Sequence, residues 1–146
     1  MPAATATIQG LEYVGWISRS EFVTERPKMP VTLNVARQGS KMWKLIKELA
    51  DWRDWAERQA EGLDPMTSRV DVTVVHLRKN RASMPDTGAP ILAAKAVIDG
   101  LVRAKVLPSD GPDVVRRLIF EPPVVVGWQG LRVTLTAIPE PIEGAA

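Results

Sequence analysis

A chain of 146 residues that is 45% hydrophobic can bury one core, so a single domain is expected. Its 19 Lys and Arg against 17 Asp and Glu leave a formal charge of +2, too small to argue nucleic-acid binding by itself, although a pI near 9.2 permits it. The absence of cysteine excludes disulfides, thiolate metal sites and cysteine nucleophiles, and the single histidine, His76, excludes a multi-histidine zinc site.

No basic segment leads into an apolar run, and no apolar run approaches about 18 residues, so a cytoplasmic protein with no membrane partner is expected. Residues 1–10 are small and featureless and are expected to be flexible. Leu11–Val23 has the aromatic and β-branched content of an edge strand. Pro27 and Pro30 break that pattern, and Val31–Val35 reads as a short strand or an extended loop leading to Gly39. Ser40 suits the N-cap of a helix in which Met42, Leu45, Ile46, Leu49, Trp52 and Ala56 recur at helical spacing, with Gly62 as a stop and Pro65 beyond it. Trp43 and Trp55 widen that stripe, which makes them core or dimer-interface residues rather than a base-stacking platform.

Arg69–Arg78 reads as a strand, with Val70, Val72 and Val74 alternating against Asp71 and Thr73 before Val75 and Leu77 interrupt the alternation. His76 within it is expected to be a pairing-edge or hydrogen-bonded histidine rather than a catalytic one. Arg78, Lys79 and Arg81 then form a basic run leading toward Asp86. Thr87 as N-cap and Pro90 in the first turn predict a helix from about Ala89 to about Lys105, with Ile91, Ala94, Ile98, Leu101 and Val102 on its apolar face. Asp110, Gly111 and Pro112 supply turn chemistry, and Val114–Glu121 and Gly130–Ile138 read as two further strands. Residues 122–129 connect them with some strand character, and residues 139–146 are expected to fray. The order strand, helix, strand, helix, strand, strand predicts an α+β fold, a mixed β-sheet with two main helices packed on it. The crossover through the second helix is expected to be right-handed if its strands are parallel.

Around that second helix the sequence gathers three carboxylates and a lysine. Asp86 and Asp110 flank it, while Lys95 and Asp99 lie four residues apart on it, as do Asp99 and Arg103. Acids at two loop ends with a lysine beside them suit a divalent cation and a phosphate, since Mg2+ takes one or two carboxylates together with phosphate oxygens. The same residues also suit a solvated amphipathic helix.

The run DTGAPILAAKAVIDGLVRAKVLPSD, preceded by a strand and a basic loop and followed by two strands, resembles the RusA family of Holliday junction resolvases. The likeness is greatest to the version found in phages of actinobacteria. There the stretch reads Asp-x-Asp-Asn-Leu-Ala-Pro, then a helical lysine, then Ile-Asp-Gly-Leu, then Gly-Val-Leu-Pro-Asp-Asp. The resemblance covers roughly Val31 to Ile138, with IDGLVRAKVLPSD its most specific part.

The resemblance implies a RusA-like domain that resolves Holliday junctions or other branched DNA as a homodimer, by Mg2+-assisted phosphodiester hydrolysis, with Mn2+ as a substitute. It implies Asp86, Lys95 and Asp110 as catalytic residues and Asp86, Asp99 and Asp110 as metal ligands, the lysine offsetting charge in the transition state. Phosphate contacts are expected from Arg78, Lys79, Arg81, Arg116 and Arg117. The chain departs from the pattern where Met84 replaces the first aspartate, Thr87 the asparagine and Ser109 the first aspartate of the closing pair. Thioether sulfur is a poor Mg2+ ligand, so the implied site has one anionic ligand fewer, with Asp113 the nearby substitute. The departures imply an alternative, a catalytically impaired RusA-fold protein acting as a DNA-binding or host-protein-binding module.

Overall fold

The computed structural model describes residues 12–32, 42–82 and 84–142. Along the chain these form β1 (Tyr13–Trp16), β2 (Glu21–Arg26), α1 (Met42–Ala60), β3 (Ser68–Arg78), α2 (Ile91–Arg103), β4 (Val115–Phe120), β5 (Val124–Val125) and β6 (Gly130–Pro141). The fold is α+β, with a mixed sheet in the order β1-β2-β6-β3-β4 and β5 paired to the end of β3. β3 is the hub: it runs antiparallel to β6 and parallel to both β4 and β5.

The edge strand expected from Leu11 to Val23 is instead a hairpin. Ser18 breaks it, its Oγ accepting the amides of Ser20 (3.3 Å) and Glu21 (3.1 Å), so that the chain reverses and β2 becomes internal, paired with β6. Such serine turns compete with the strand ladder for backbone donors. Val31 and Thr32 are not in a strand, and the rest of the Val31–Val35 segment and the Ser40 cap lie outside the described residues.

One face of the sheet carries the core. Phe22 of β2, Val70, Val72 and Val74 of β3 and Leu131, Val133 and Leu135 of β6 pack against Trp52, Trp55 and Ala56 of α1 and Ala93, Ala94, Val97 and Leu101 of α2. Each buried Val, Leu or Phe side chain among them contributes about 1.5–3 kcal/mol, and each alanine methyl about 0.8 kcal/mol. On the opposite face Asp71, Thr73, Arg132, Thr134 and Thr136 are half-buried, which is the alternation expected of a sheet packed on one side. The stripe on α1 is only partly used: Leu45, Trp52, Trp55, Ala56 and Ala60 are buried, but Met42, Trp43 and Ile46 face solvent.

The two helices cross at Gly100, where an added Cβ would meet the Arg53 carbonyl oxygen and lie 2.8 Å from Ala56 Cβ. Thr87 does not cap α2. Its place in a turn that donates Ala89 N to Asp86 O and Ile91 N to Gly88 O puts Pro90 at the cap position, with no side-chain cap bond. α2 ends in a Schellman motif, Lys105 N donating to Val102 O and Val106 N to Leu101 O, with Lys105 at φ 67. α1 is stopped by Gly62 at φ +80.

The tail expected to fray from residue 139 is held further than that. β6 runs to Pro141, Arg69 Nη1 donates to Glu140 Oε2 at 2.5 Å, and the buried Ile142 donates its amide to Thr67 O. Residues 1–10 and 143–146 lie outside the described residues. Among the described residues no helix is long and apolar enough to cross a membrane.

Candidate functional site

Lys95 and Asp99 project from the same side of α2 because they are one helical turn apart. The Schellman turn reverses the chain beyond Arg103, and the buried Val106 and Leu107 pin the following segment against the core. A tight turn in which Ser109 Oγ accepts the Gly111 amide then brings Asp110 back alongside the helix. Lys95 Nζ donates to Asp110 Oδ2 at 2.5 Å and lies 3.7 Å from Asp99 Oδ1. All three side chains are about half exposed, so the cluster is open to solvent and to a macromolecular ligand. The Asp110 hydrogen bond, and then the charge of Asp99, hold the Lys95 ammonium above its ordinary pKa, with partial burial opposing them. The Lys95 hydrogen bond in turn holds Asp110 below the ordinary carboxylate range.

Asp86, the third expected carboxylate, is exposed in the loop before α2, and its side chain makes no hydrogen bond or ion pair with the described residues. Met84 is exposed in the same loop. Among the described residues no three His, Asp or Glu side chains are arranged to hold a metal ion. Mg2+ uses one or two protein carboxylates with phosphate and water completing its shell, and at Asp99 and Asp110 one oxygen of each faces Lys95.

The five expected phosphate contacts divide. Arg78 is buried, donating to Gln129 Oε1 at 2.9 Å and to Ala82 O at 3.4 Å, so it braces its own loop instead of facing solvent. Arg116 forms a fork on Asp71, with Nε at 2.9 Å and Nη2 at 2.6 Å, a bond that is the main reason the Asp71 pKa is lowered. Lys79, Arg81 and Arg117 are exposed and form no ion pair among the described residues.

His76 is not at a pairing edge, and among the described residues neither Nδ1 nor Nε2 has a hydrogen-bond partner. It sits 1% exposed in the central strand opposite Leu131, and burial, reinforced by the Arg78 charge, lowers its pKa to about 4. Two buried charges escape sequence reading altogether. Glu25, fully buried, pairs with Arg132 at 2.9 Å across the β2/β6 register, and burial pushes its pKa up against the pull of Arg132. Arg26 lies 5.0 Å from the Trp52 ring and 4.9 Å from the Trp55 ring while bonding Asp51 at 2.9 Å. Only the register and the helix docking reveal either. No protein-family model matches the chain, and no curated protein matches it.

Proposed function

We propose that the chain is a cytoplasmic, structure-selective DNA endonuclease, RusA-like, that acts as a homodimer on Holliday junctions or other branched DNA. The observation that carries this reading is the lysine held between two carboxylates, Lys95 with Asp110 at 2.5 Å and Asp99 at 3.7 Å, in an open cluster on the motif that resembles the resolvases. Asp110 and Asp99, the two carboxylates gathered at Lys95, would hold Mg2+ or Mn2+, with phosphate and water completing its shell and Asp86 outside the cluster. Such an ion supplies polarisation of the phosphate and a bound water of lowered pKa. Lys95 would then leave Asp110 for a phosphate oxygen and offset the charge that builds in the transition state. Lys79, Arg81 and Arg117 would meet backbone phosphates, giving binding that weakens as salt rises. A twofold enzyme would match the pseudo-twofold symmetry of a four-way junction.

The test is incubation with a synthetic four-way junction and Mg2+ or Mn2+. Cleavage by the wild type, abolished in Asp110→Asn with junction binding kept, is the expected result. Intact binding with no cleavage by the wild type refutes the enzyme.

Met84 favours one other reading, an impaired RusA-fold protein that occupies branched DNA or contacts a host protein. Its side chain is exposed in the loop where the resembled motif carries a carboxylate, so Met84→Asp with Thr87→Asn is a sterically permitted repair. Nuclease activity appearing only in that double variant establishes the impaired reading, whereas activity in the wild type excludes it.

A further inference from the structure

Trp43 is 68% exposed, and with Met42 and Ile46 it forms an apolar shelf on the first turns of α1. The helical stripe predicted it to be a core or interface residue. The other tryptophans of the helix, Trp52 and Trp55, are buried edge to face against one another. An indole this exposed next to two further apolar side chains is a candidate binding surface.

Of these three, Trp43 lines a groove. Lys28, Lys44, Lys47, Glu48 and Asp51 line the rest of it, and it encloses about 310 Å3. Its two carboxylates are already satisfied: Lys28 lies 3.2 Å from Glu48 and 2.8 Å from Asp51, and Arg26 adds a bond of 2.9 Å to Asp51. Lys44 and Lys47 form no ion pair among the described residues. Lys47 is one helical turn from Trp43 and Lys44 is adjacent to it, so two uncompensated positive charges flank the indole. An exposed aromatic face between uncompensated cations is the chemistry of a nucleic-acid single strand, whose bases stack while its phosphates meet lysine.

We propose that this groove binds single-stranded nucleic acid, with a base stacked on the Trp43 indole and neighbouring phosphates on Lys44 and Lys47. A second copy of the chain is the competing occupant, and the test below separates the two. The groove lies on α1 and does not require the Lys95 cluster to be catalytic, so it stands or falls separately from the nuclease.

The test is fluorescence anisotropy of a labelled oligothymidylate with the full chain. Trp43→Ala should weaken binding roughly 5- to 150-fold, the loss of one stacked base, and Trp43→Phe should recover most of it. Lys44→Gln with Lys47→Gln should reduce the salt slope by about 1.4, the value for two phosphate contacts on a single strand. Far-UV circular dichroism should be unchanged, since the three side chains are exposed. Equal binding by wild type and Trp43→Ala, or none by the wild type, overturns the proposal. So does a dimer in sedimentation equilibrium that Trp43→Ala dissolves while oligonucleotide binding persists.

Discussion

Lys95 Nζ stands 2.5 Å from Asp110 Oδ2, fifteen residues further along the chain, and this contact joins the middle of α2 to the loop beyond its end. In the proposed nuclease the ammonium would compete with the divalent cation for that oxygen. Replacing the lysine with a neutral side chain of similar length therefore separates two roles. Lys95→Met is expected to raise the affinity of Asp110 for Mn2+ roughly 2- to 5-fold, the value of one exposed ion pair, while lowering junction cleavage. Isothermal calorimetry with Mn2+, alongside the cleavage assay, checks both. A metal response lost in Lys95→Met contradicts the competition.

His76 is the only histidine of the chain, so a single proton resonance reports its titration. Its folded pKa of about 4 lies below the ordinary histidine value because burial disfavours the cation. Between about pH 6.5 and 4 the unfolded chain binds the proton and the folded one does not. The stability contributed by neutral His76 is thus complete above pH 6.5 and is lost as pH falls toward 4. At pH 5 the loss is about 2 kcal/mol. Urea unfolding at pH 7 and pH 5 should show that loss, and His76→Leu should remove this part of it. An NMR titration midpoint near 6.5 in the folded protein would contradict the burial argument.

Gly100 illustrates a residue whose role is set by a neighbour and not by its own helix. Alanine is intrinsically the better helix former by about 1 kcal/mol. Its Cβ would nevertheless press on the Arg53 carbonyl and on Ala56, so the helices would have to separate. Gly100→Ala is expected to destabilise the protein by about 1–3 kcal/mol, as overpacking does. A thermal or urea midpoint at or above that of the wild type would show that the crossing is slack.

Lys105 presents the reverse case. It adopts the left-handed conformation that closes the Schellman motif at the end of α2, at φ 67, where an L side chain costs about 1–2 kcal/mol. Glycine adopts that conformation without the penalty. Lys105→Gly is expected to stabilise the fold by about 0.5–1 kcal/mol, since the added freedom of the unfolded chain offsets part of the gain. A lowered urea midpoint would show that the Lys105 side chain contributes contacts that outweigh its strain.

What the sequence by itself determined is local. Val70, Val72 and Val74 announce which face of β3 is buried, and the spacing of Ala94, Ile98 and Leu101 does the same for α2, because side-chain direction follows backbone period. Lys95 and Asp99 are likewise readable as neighbours one turn apart. The tertiary structure decided everything that depends on partners distant in the chain. Arg78 and Arg116 read as phosphate contacts until Gln129 meets the first and the β3/β4 pairing brings the second to Asp71. Trp43 and Trp55 carry the same helical signature, yet only one of them has a sheet and a second helix to bury it. Periodicity gives the direction a side chain points, but ion pairing and burial fall off within a few ångströms. They are therefore settled by sheet register and helix crossing, which local spacing does not encode.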